Sequence, residues 1–200
     1  MEKFRLEKAP VSNGLGVERA ISQRRSRRDY SGQHMSSAEL SHILYYSCGI
    51  TDESSGLRAA PSAGATYPIE VYPTVNSVDG LTQGIYHYLI ESHDLELLRA
   101  GDFGREMSRA ALDERMLMQA NVVLVLAAIF QRTRLRYRDR ALRYIHFEAG
   151  HIAQNVYLIA TSMGLGTCAI GAFSDDALNR LIGFDGREQS VLYLLAVGTV

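Results

Sequence analysis

The stretch ALRYIHFEAGHIAQNVYLIATSMGLGTCAIGA, residues 141–172, carries three structural signals in a row. Ile145, Ala149, Ile152, Ala153, Val156, Leu158, Ile159 and Met163 recur at helical spacing, which predicts a long, largely buried helix over 141–163. Ala149, Gly150, Ala153 and Ala160 are small enough to let another backbone approach that helix closely. Gly164 stands where a helix-terminating glycine belongs. The run GLGTCAIGAF, of strand type, comes next, and Ser174 is placed to cap SDDALNRLIG. A buried helix, a tight strand and a capped helix leave a loop at Ala169, Ile170, Gly171 and Ala172. Its backbone N–H groups suit a flat polar ligand.

The segments around this stretch fill in the architecture. Immediately before it, RTRLRYRDRALR places Arg132, Arg136, Arg140 and Arg143 on one face if it is helical. That face is either solvated or a lip for phosphate. Asn121 to Phe130 is an apolar, β-branched run and predicts a central strand. Asp102 to Ala120 reads as helix in two pieces split near Asp113, and residues 84–100 as a β-hairpin turning around Glu91 to Asp94. Ile69 to Val75 and Ser190 to Thr199 predict strands. Ser36 and Glu39 have capping-box spacing at the start of a helix that Gly49 ends. Val17 to Gln23 predicts a short helix, residues 50–60 a loop, and residues 1–16 an arm. The order is that of an α+β fold, a mixed central β-sheet packed by helices, in a single domain spanning residues 1–200.

Composition bounds the function. The net charge of −1 gives no whole-molecule field to recruit nucleic acid or a membrane surface. Nearly all positive charge is arginine, the better fork for phosphate. Cys48 and Cys168 are too few for a disulfide framework or a thiolate zinc site, and both sit in apolar company. The longest apolar run, Val122 to Phe130, is far short of a membrane span, and nothing reads as a signal peptide. A soluble cytoplasmic protein without a metal site is expected. The sequence contains no P-loop, no G-x-G-x-x-G, no G-x-S-x-G elbow and no H-E-x-x-H. His146 and His151, five residues apart, fall on different helix faces and read as hydrogen-bonded helix histidines.

Two further stretches bear chemistry. RRSRRDYSG, residues 24–32, surrounds one serine with four arginines. It is a solvated charge run or an anion clamp, and the residues alone do not choose. PSAGATYPIEVY begins with a Pro61-Ser62-Ala63-Gly64 turn that exposes backbone and little side chain.

Together with EAGHIAQNVYLIATSMGLGTCAIGAFSDDALNRLIG, these stretches closely resemble, in order and spacing, the nitroreductase-like flavoprotein superfamily. The wording is most similar to its SagB-type dehydrogenase branch, and the likeness covers about residues 17–198. The resemblance implies an FMN-binding fold, an intertwined homodimer with flavin at the interface, and NAD(P)H as electron donor. It maps the R-x-S-x-R element that holds the flavin phosphate and ring edge onto Arg24, Arg25, Ser26 and Arg28. It maps the turn that reaches flavin across the dimer onto Pro61, Ser62, Ala63 and Gly64, and the backbone near flavin N5 onto Ala169, Ile170, Gly171 and Ala172.

Two departures stand out. Relatives commonly place a basic residue beyond the last strand on the phosphate, where this sequence reads Gly198-Thr199-Val200, so the N-terminal arginines are expected to carry that charge. Azoline-oxidising members of the branch have Lys-Tyr where this chain has Arg136-Tyr137. An arginine cannot serve as a base, which leaves Tyr137 as the candidate acid or as a lid residue. The expected activity is ping-pong reduction of a small-molecule acceptor such as a nitroaromatic or quinone. The alternatives are an azoline dehydrogenase acting on a modified peptide, and a flavin-binding or sequestering protein.

Overall fold

A computed structural model describes residues 2–8 and 14–200. In chain order it contains β1 (Lys3–Arg5), α1 (Val17–Gln23), α2 (Ser37–Cys48), β2 (Ile50–Asp52), β3 (Leu57–Arg58), β4 (Ile69–Val75), β5 (Gly84–Leu89) and β6 (Asp94–Ala100). It continues with α3 (Gly104–Ala110), α4 (Met116–Gln119), β7 (Val122–Ile129), α5 (Phe130–Tyr137), α6 (Ala141–Ser162), β8 (Leu165–Ile170), α7 (Asp175–Ile182) and β9 (Gln189–Thr199).

One seven-stranded sheet runs in the order β1-β6-β5-β4-β7-β9-β8. Its ladders are all antiparallel. Parallel pairing among the described residues is confined to isolated bridges, Ser26 with Thr167 and Met35 with Val78, so the mixed sheet expected from the element order narrows to that. β7 lies inside the sheet, and alternate side chains point to opposite faces. Leu124 and Leu126 join the core under α2 and α6, while Val123 and Val125 join the core under α3, α4 and α7. Both faces are covered, which is why the sequence of β7 is continuously apolar rather than alternating.

α6 lies across one face of this sheet. Ala141, Ile145, Glu148, Ala149, Ile152, Ala153, Val156 and Ala160 form its buried stripe. Each fully covered Ile or Val there contributes roughly 1.5–3 kcal/mol. The backbone that the small residues admit belongs to this chain's own α2. Ala149, Ala153 and Ala160 lie in the chain's own core, where α6 packs against α2, and only Gly150 faces open space. α2 starts with the full capping box, Ser36 accepting from the Glu39 N–H and the Glu39 carboxylate accepting from the Ser36 N–H.

Three local expectations are revised. Residues 50–60 are not a plain loop, because β2 and β3 pair as a small ribbon. Part of the 1–16 arm is ordered as β1 on the edge strand β6; residues 1 and 9–13 lie outside the described part. The arginine helix ends at Tyr137, because Arg138 takes a positive φ of 47° that breaks the helical ladder. Arg140 and Arg143 therefore do not continue the face of Arg132 and Arg136. Cys48 and Cys168 are buried and free, and burial pushes the Cys48 thiol up to about 12. No helix among the described residues is long and apolar enough to cross a membrane.

Candidate functional site

The chain leaves α1 at Arg24 in extended conformation and lays RRSRR along the edge strand β8. The Arg27 N–H donates to the Thr167 carbonyl at 2.9 Å, and Ser26 bridges Thr167. Extended backbone alternates its side chains, so Arg24, Ser26 and Arg28 share one side and Arg25 and Arg27 the other. The absence of a side chain at Gly166 permits this docking. A Cβ on Gly166 would lie 2.9 Å from Arg27 Cβ and would collide with Val200 Cγ1. Further on, the Ser31 N–H donates to the Thr199 carbonyl at 2.9 Å, and Tyr30 donates to the Ala196 carbonyl at 3.1 Å.

Tyr157 of α6 ties the segment to the end of β8. Its hydroxyl accepts from the Ala169 N–H at 2.9 Å and lies 3.0 Å from Ser26 Oγ, to which it is then free to donate. The Arg24 guanidinium lies 5.2 Å from the Tyr157 ring centroid. None of the four arginines at 24, 25, 27 and 28 takes part in an ion pair among the described residues. Arg25 folds back, donating to the Ser22 carbonyl at 3.1 Å and the Arg24 carbonyl at 2.7 Å. With Arg27 it borders a cavity of about 470 Å³ that Thr161 and Val200 also line. The Thr167 hydroxyl is buried without a hydrogen-bond partner. Guanidinium groups without acidic partners fit an oxyanion such as a phosphate.

The loop expected at 169–172 is shorter than its four residues. Ala169 and Ile170 belong to β8, paired with Leu195 and Leu194, and the Ala169 N–H is taken by Tyr157. Gly171 and Ala172 are exposed just beyond the ladder, and their N–H groups have no partner among the described residues. They are the donors left for a ligand.

The Pro61–Gly64 turn forms a second group, farther back along α6. Gly64 has φ +59°, and a Cβ there would lie 2.6 Å from the Tyr137 hydroxyl and 2.7 Å from the Arg136 guanidinium. Arg136 donates to the Gly64 carbonyl at 2.9 Å. Ser62 Oγ accepts from the Tyr67 N–H at 3.0 Å and donates to Glu148, and His151 Nδ1 lies 3.2 Å from the Pro61 carbonyl. Burial pushes the Glu148 carboxyl above its usual range, opposed by the Ser62 hydroxyl and the Ile69 N–H. Ala63 is half-buried in the same turn.

Arg24, Ser26 and Ala169 thus meet through Tyr157, while Pro61–Gly64 meets Arg136 and Tyr137. No hydrogen bond among the described residues joins the two groups. Both lean on α6, at positions 148–151 and 157, up to about 14 Å apart along the axis at 1.5 Å per residue. Tyr157, Glu148 and His151 were not singled out by sequence as site residues. They sit inside a helical pattern that otherwise reads as core, and only their polar atoms among apolar neighbours hint at more. Arg132 and Arg136, expected as a solvated face or a phosphate lip, are both exposed, and their guanidinium groups also engage Glu70 and the Gly64 carbonyl.

The chain is similar to known proteins over nearly its whole length. The Nitroreductase family model matches residues 21–199. A candidate nitroreductase of Methanocaldococcus jannaschii is 42% identical over 189 residues, covering 94% of this chain and 93% of that protein. The microcin B17-processing protein McbC of Escherichia coli is 30% identical over 156 residues, covering 74% of this chain and 57% of that protein. Among solved structures, a candidate nitroreductase of Anabaena variabilis superposes with a TM-score of 0.87 at 28% identity, over 99% of this chain and 41% of the other.

Proposed function

Because this chain belongs to the nitroreductase family, we propose that it is an FMN-dependent oxidoreductase that takes reducing equivalents from NAD(P)H and passes them to a nitroaromatic, quinone or similar small acceptor. The observation that carries this reading is the clamp: Arg24 and Arg28 without acidic partners, beside a Ser26 hydroxyl fixed by Tyr157. FMN, when bound, supplies the two-electron chemistry. Arg24 and Arg28 hold a dianionic phosphate by charge-assisted hydrogen bonds, and Ser26 adds a hydroxyl. The N–H groups of Gly171 and Ala172 orient an acceptor edge of a flat ring. Arg136 and Tyr137, fixed against Gly64, border the acceptor, with Tyr137 the one able to move a proton.

We also propose a homodimer. Exposed Leu142 and Phe147 on α6, Leu135 on α5, and Val17 and Ile21 on α1 offer an apolar surface that a second copy would cover. A second copy would bring its own 61–64 turn towards this clamp. We place the protein in the cytoplasm.

The McbC relationship supports a second reading, oxidation of an azoline ring in a modified peptide. The permanently charged Arg136, already committed to a backbone carbonyl, cannot act as base in such a step, so the small-acceptor reading is preferred. An absorbance spectrum of the purified protein and an NAD(P)H-consumption assay with menadione test the proposal. A yellow protein that releases FMN on denaturation and turns over is expected. A colourless protein that takes up no added FMN overturns it. A protein that binds FMN but never oxidises NAD(P)H is instead the azoline dehydrogenase of the second reading or a flavin-sequestering protein, and reduction of its flavin by an azoline peptide separates the two.

A further inference from the structure

The sheet face opposite α6 carries a second cavity, of about 700 Å³, which shares no lining residue with Arg24–Arg28 or Ala169–Ala172. Glu70 and Tyr72 on β4 and His87 on β5 point to that face, because alternate strand residues do; Val71, Tyr86 and Tyr88 between them pack on the α6 side. The floor is built and rigid. Glu70, 8% exposed, accepts from His87 Nε2 at 2.7 Å and from Arg132. The Tyr72 ring stacks on His87 with centroids 4.7 Å apart and planes 14° apart. Arg132 also donates to the Tyr67 carbonyl at 2.8 Å, and the Arg58 guanidinium lies 4.5 Å from the centroid of the Tyr67 ring.

Three side chains of this cavity have donors to spare, and one of them, Arg58, is purely a donor. Although its charge helps to lower the pKa of the buried Glu148 carboxyl of α6, Arg58 has no ion pair within hydrogen-bonding reach among the described residues. The Tyr72 hydroxyl and the Gln189 amide side chain make no hydrogen bond there either, and both line the cavity. The one carboxylate on the floor, Glu70, is already satisfied twice. Glu91, exposed at the rim, weighs against a multiply charged anion. Tyr67 and Ile129 supply apolar wall. We propose that this cavity binds a small aromatic monocarboxylate, its carboxylate on Arg58 with the Tyr72 hydroxyl as a second donor, and its ring against Tyr67 and Ile129.

Benzoate is the probe, titrated by calorimetry and by ligand-observed NMR onto the protein saturated with FMN so that the clamp is filled, with benzamide and inorganic phosphate as comparators. Saturable benzoate binding is expected, with benzamide and phosphate each at least roughly tenfold weaker, as loss of a charge-assisted contact or gain of a repelled charge dictates. Arg58→Met should weaken benzoate roughly ten- to hundred-fold, and Tyr72→Phe, which removes only a hydroxyl, by about three- to tenfold. Arg24→Ala, in the clamp, should leave benzoate affinity unchanged. Absence of benzoate binding to the wild-type protein overturns the proposal, as does equal affinity for phosphate. If Arg58→Met does not fold, Tyr72→Phe decides alone: wild-type affinity in that variant also overturns it.

Discussion

Tyr157 holds the candidate clamp together, since its single hydroxyl serves both the Ala169 N–H and Ser26. Tyr157→Phe keeps the ring under Arg24 but strands two polar groups, so FMN affinity is expected to fall by about 1–3 kcal/mol while the fold persists. Arg24→Ala and Arg28→Ala should each cost about 1.5–3 kcal/mol of FMN binding. Arg25→Ala should cost less, because that side chain points the other way and already serves two backbone carbonyls. Fluorescence titration with FMN separates these variants, and equal losses at all three arginines would contradict the alternation. Glu148 makes a different prediction, in stability. Burial raises its folded-state pKa above the unfolded value, so the folded chain binds the extra proton. Stability therefore declines as pH rises through the unfolded value towards the folded one. Glu148→Gln keeps an acceptor for Ser62 and removes the buried charge, and it should flatten that decline in a urea-melt series from acid to neutral pH. An unchanged slope would show that Glu148 does not titrate in this range.

The elements were legible in the sequence to very different degrees, and Gly166 shows why. Periodicity identified α6, β7 and the hairpin β5–β6, because each buries a face or both faces against its own neighbours. Caps identified the ends of α2 and α7, where Ser36 and Ser174 accept from N–H groups three residues on. The glycine of GLGTC read only as part of a strand. Its need for open space comes from Arg27 and Val200, which reach it from opposite ends of the chain. Gly166→Ala should therefore push residues 24–28 off β8 and lower stability by about 1–3 kcal/mol, as overpacking does. A thermal melt with and without FMN checks this, and a variant with wild-type stability and flavin affinity would show that the segment docks elsewhere. The same limit hid the Glu70–His87–Arg132 group. These residues lie on three elements and meet only through strand register, which no local pattern encodes. The break at Arg138 was equally hidden, since a positive φ at arginine has no sequence signal of the kind glycine gives. Of the candidate site, the resemblance supplied the segments, and the geometry divided Arg25 from Arg24 and Ala169 from Gly171.

At the scale of the whole molecule the open question is what covers the outer side of α6. Ala149 and Ala153 face inward and are spent on the core, so a substitution there would report on folding rather than assembly. The outward residues are large: Phe147 is 56% exposed and Leu142 45%. α1 and α5 both pack on α6, and each carries exposed apolar residues of its own, Val17 and Ile21 on α1 and Leu135 on α5. A chain that kept this surface in water would forgo roughly 25 cal/mol per Å² of apolar area it could bury. A two-fold copy covers it with identical chemistry, and an obligate interface of this kind buries upwards of about 2,000 Å². If the dimer also completes the flavin site, ligand and assembly are linked by mass action, so added FMN should raise the melting temperature and suppress dissociation. Phe147→Glu is the decisive variant, because the side chain lies outside the core and the protomer fold should survive. Sedimentation is expected to find a folded monomer that has lost both the dimer and tight FMN binding. A folded Phe147→Glu monomer that still binds FMN tightly would mean that Arg24, Ser26 and Arg28, with Tyr157 behind them, make a complete site within one chain.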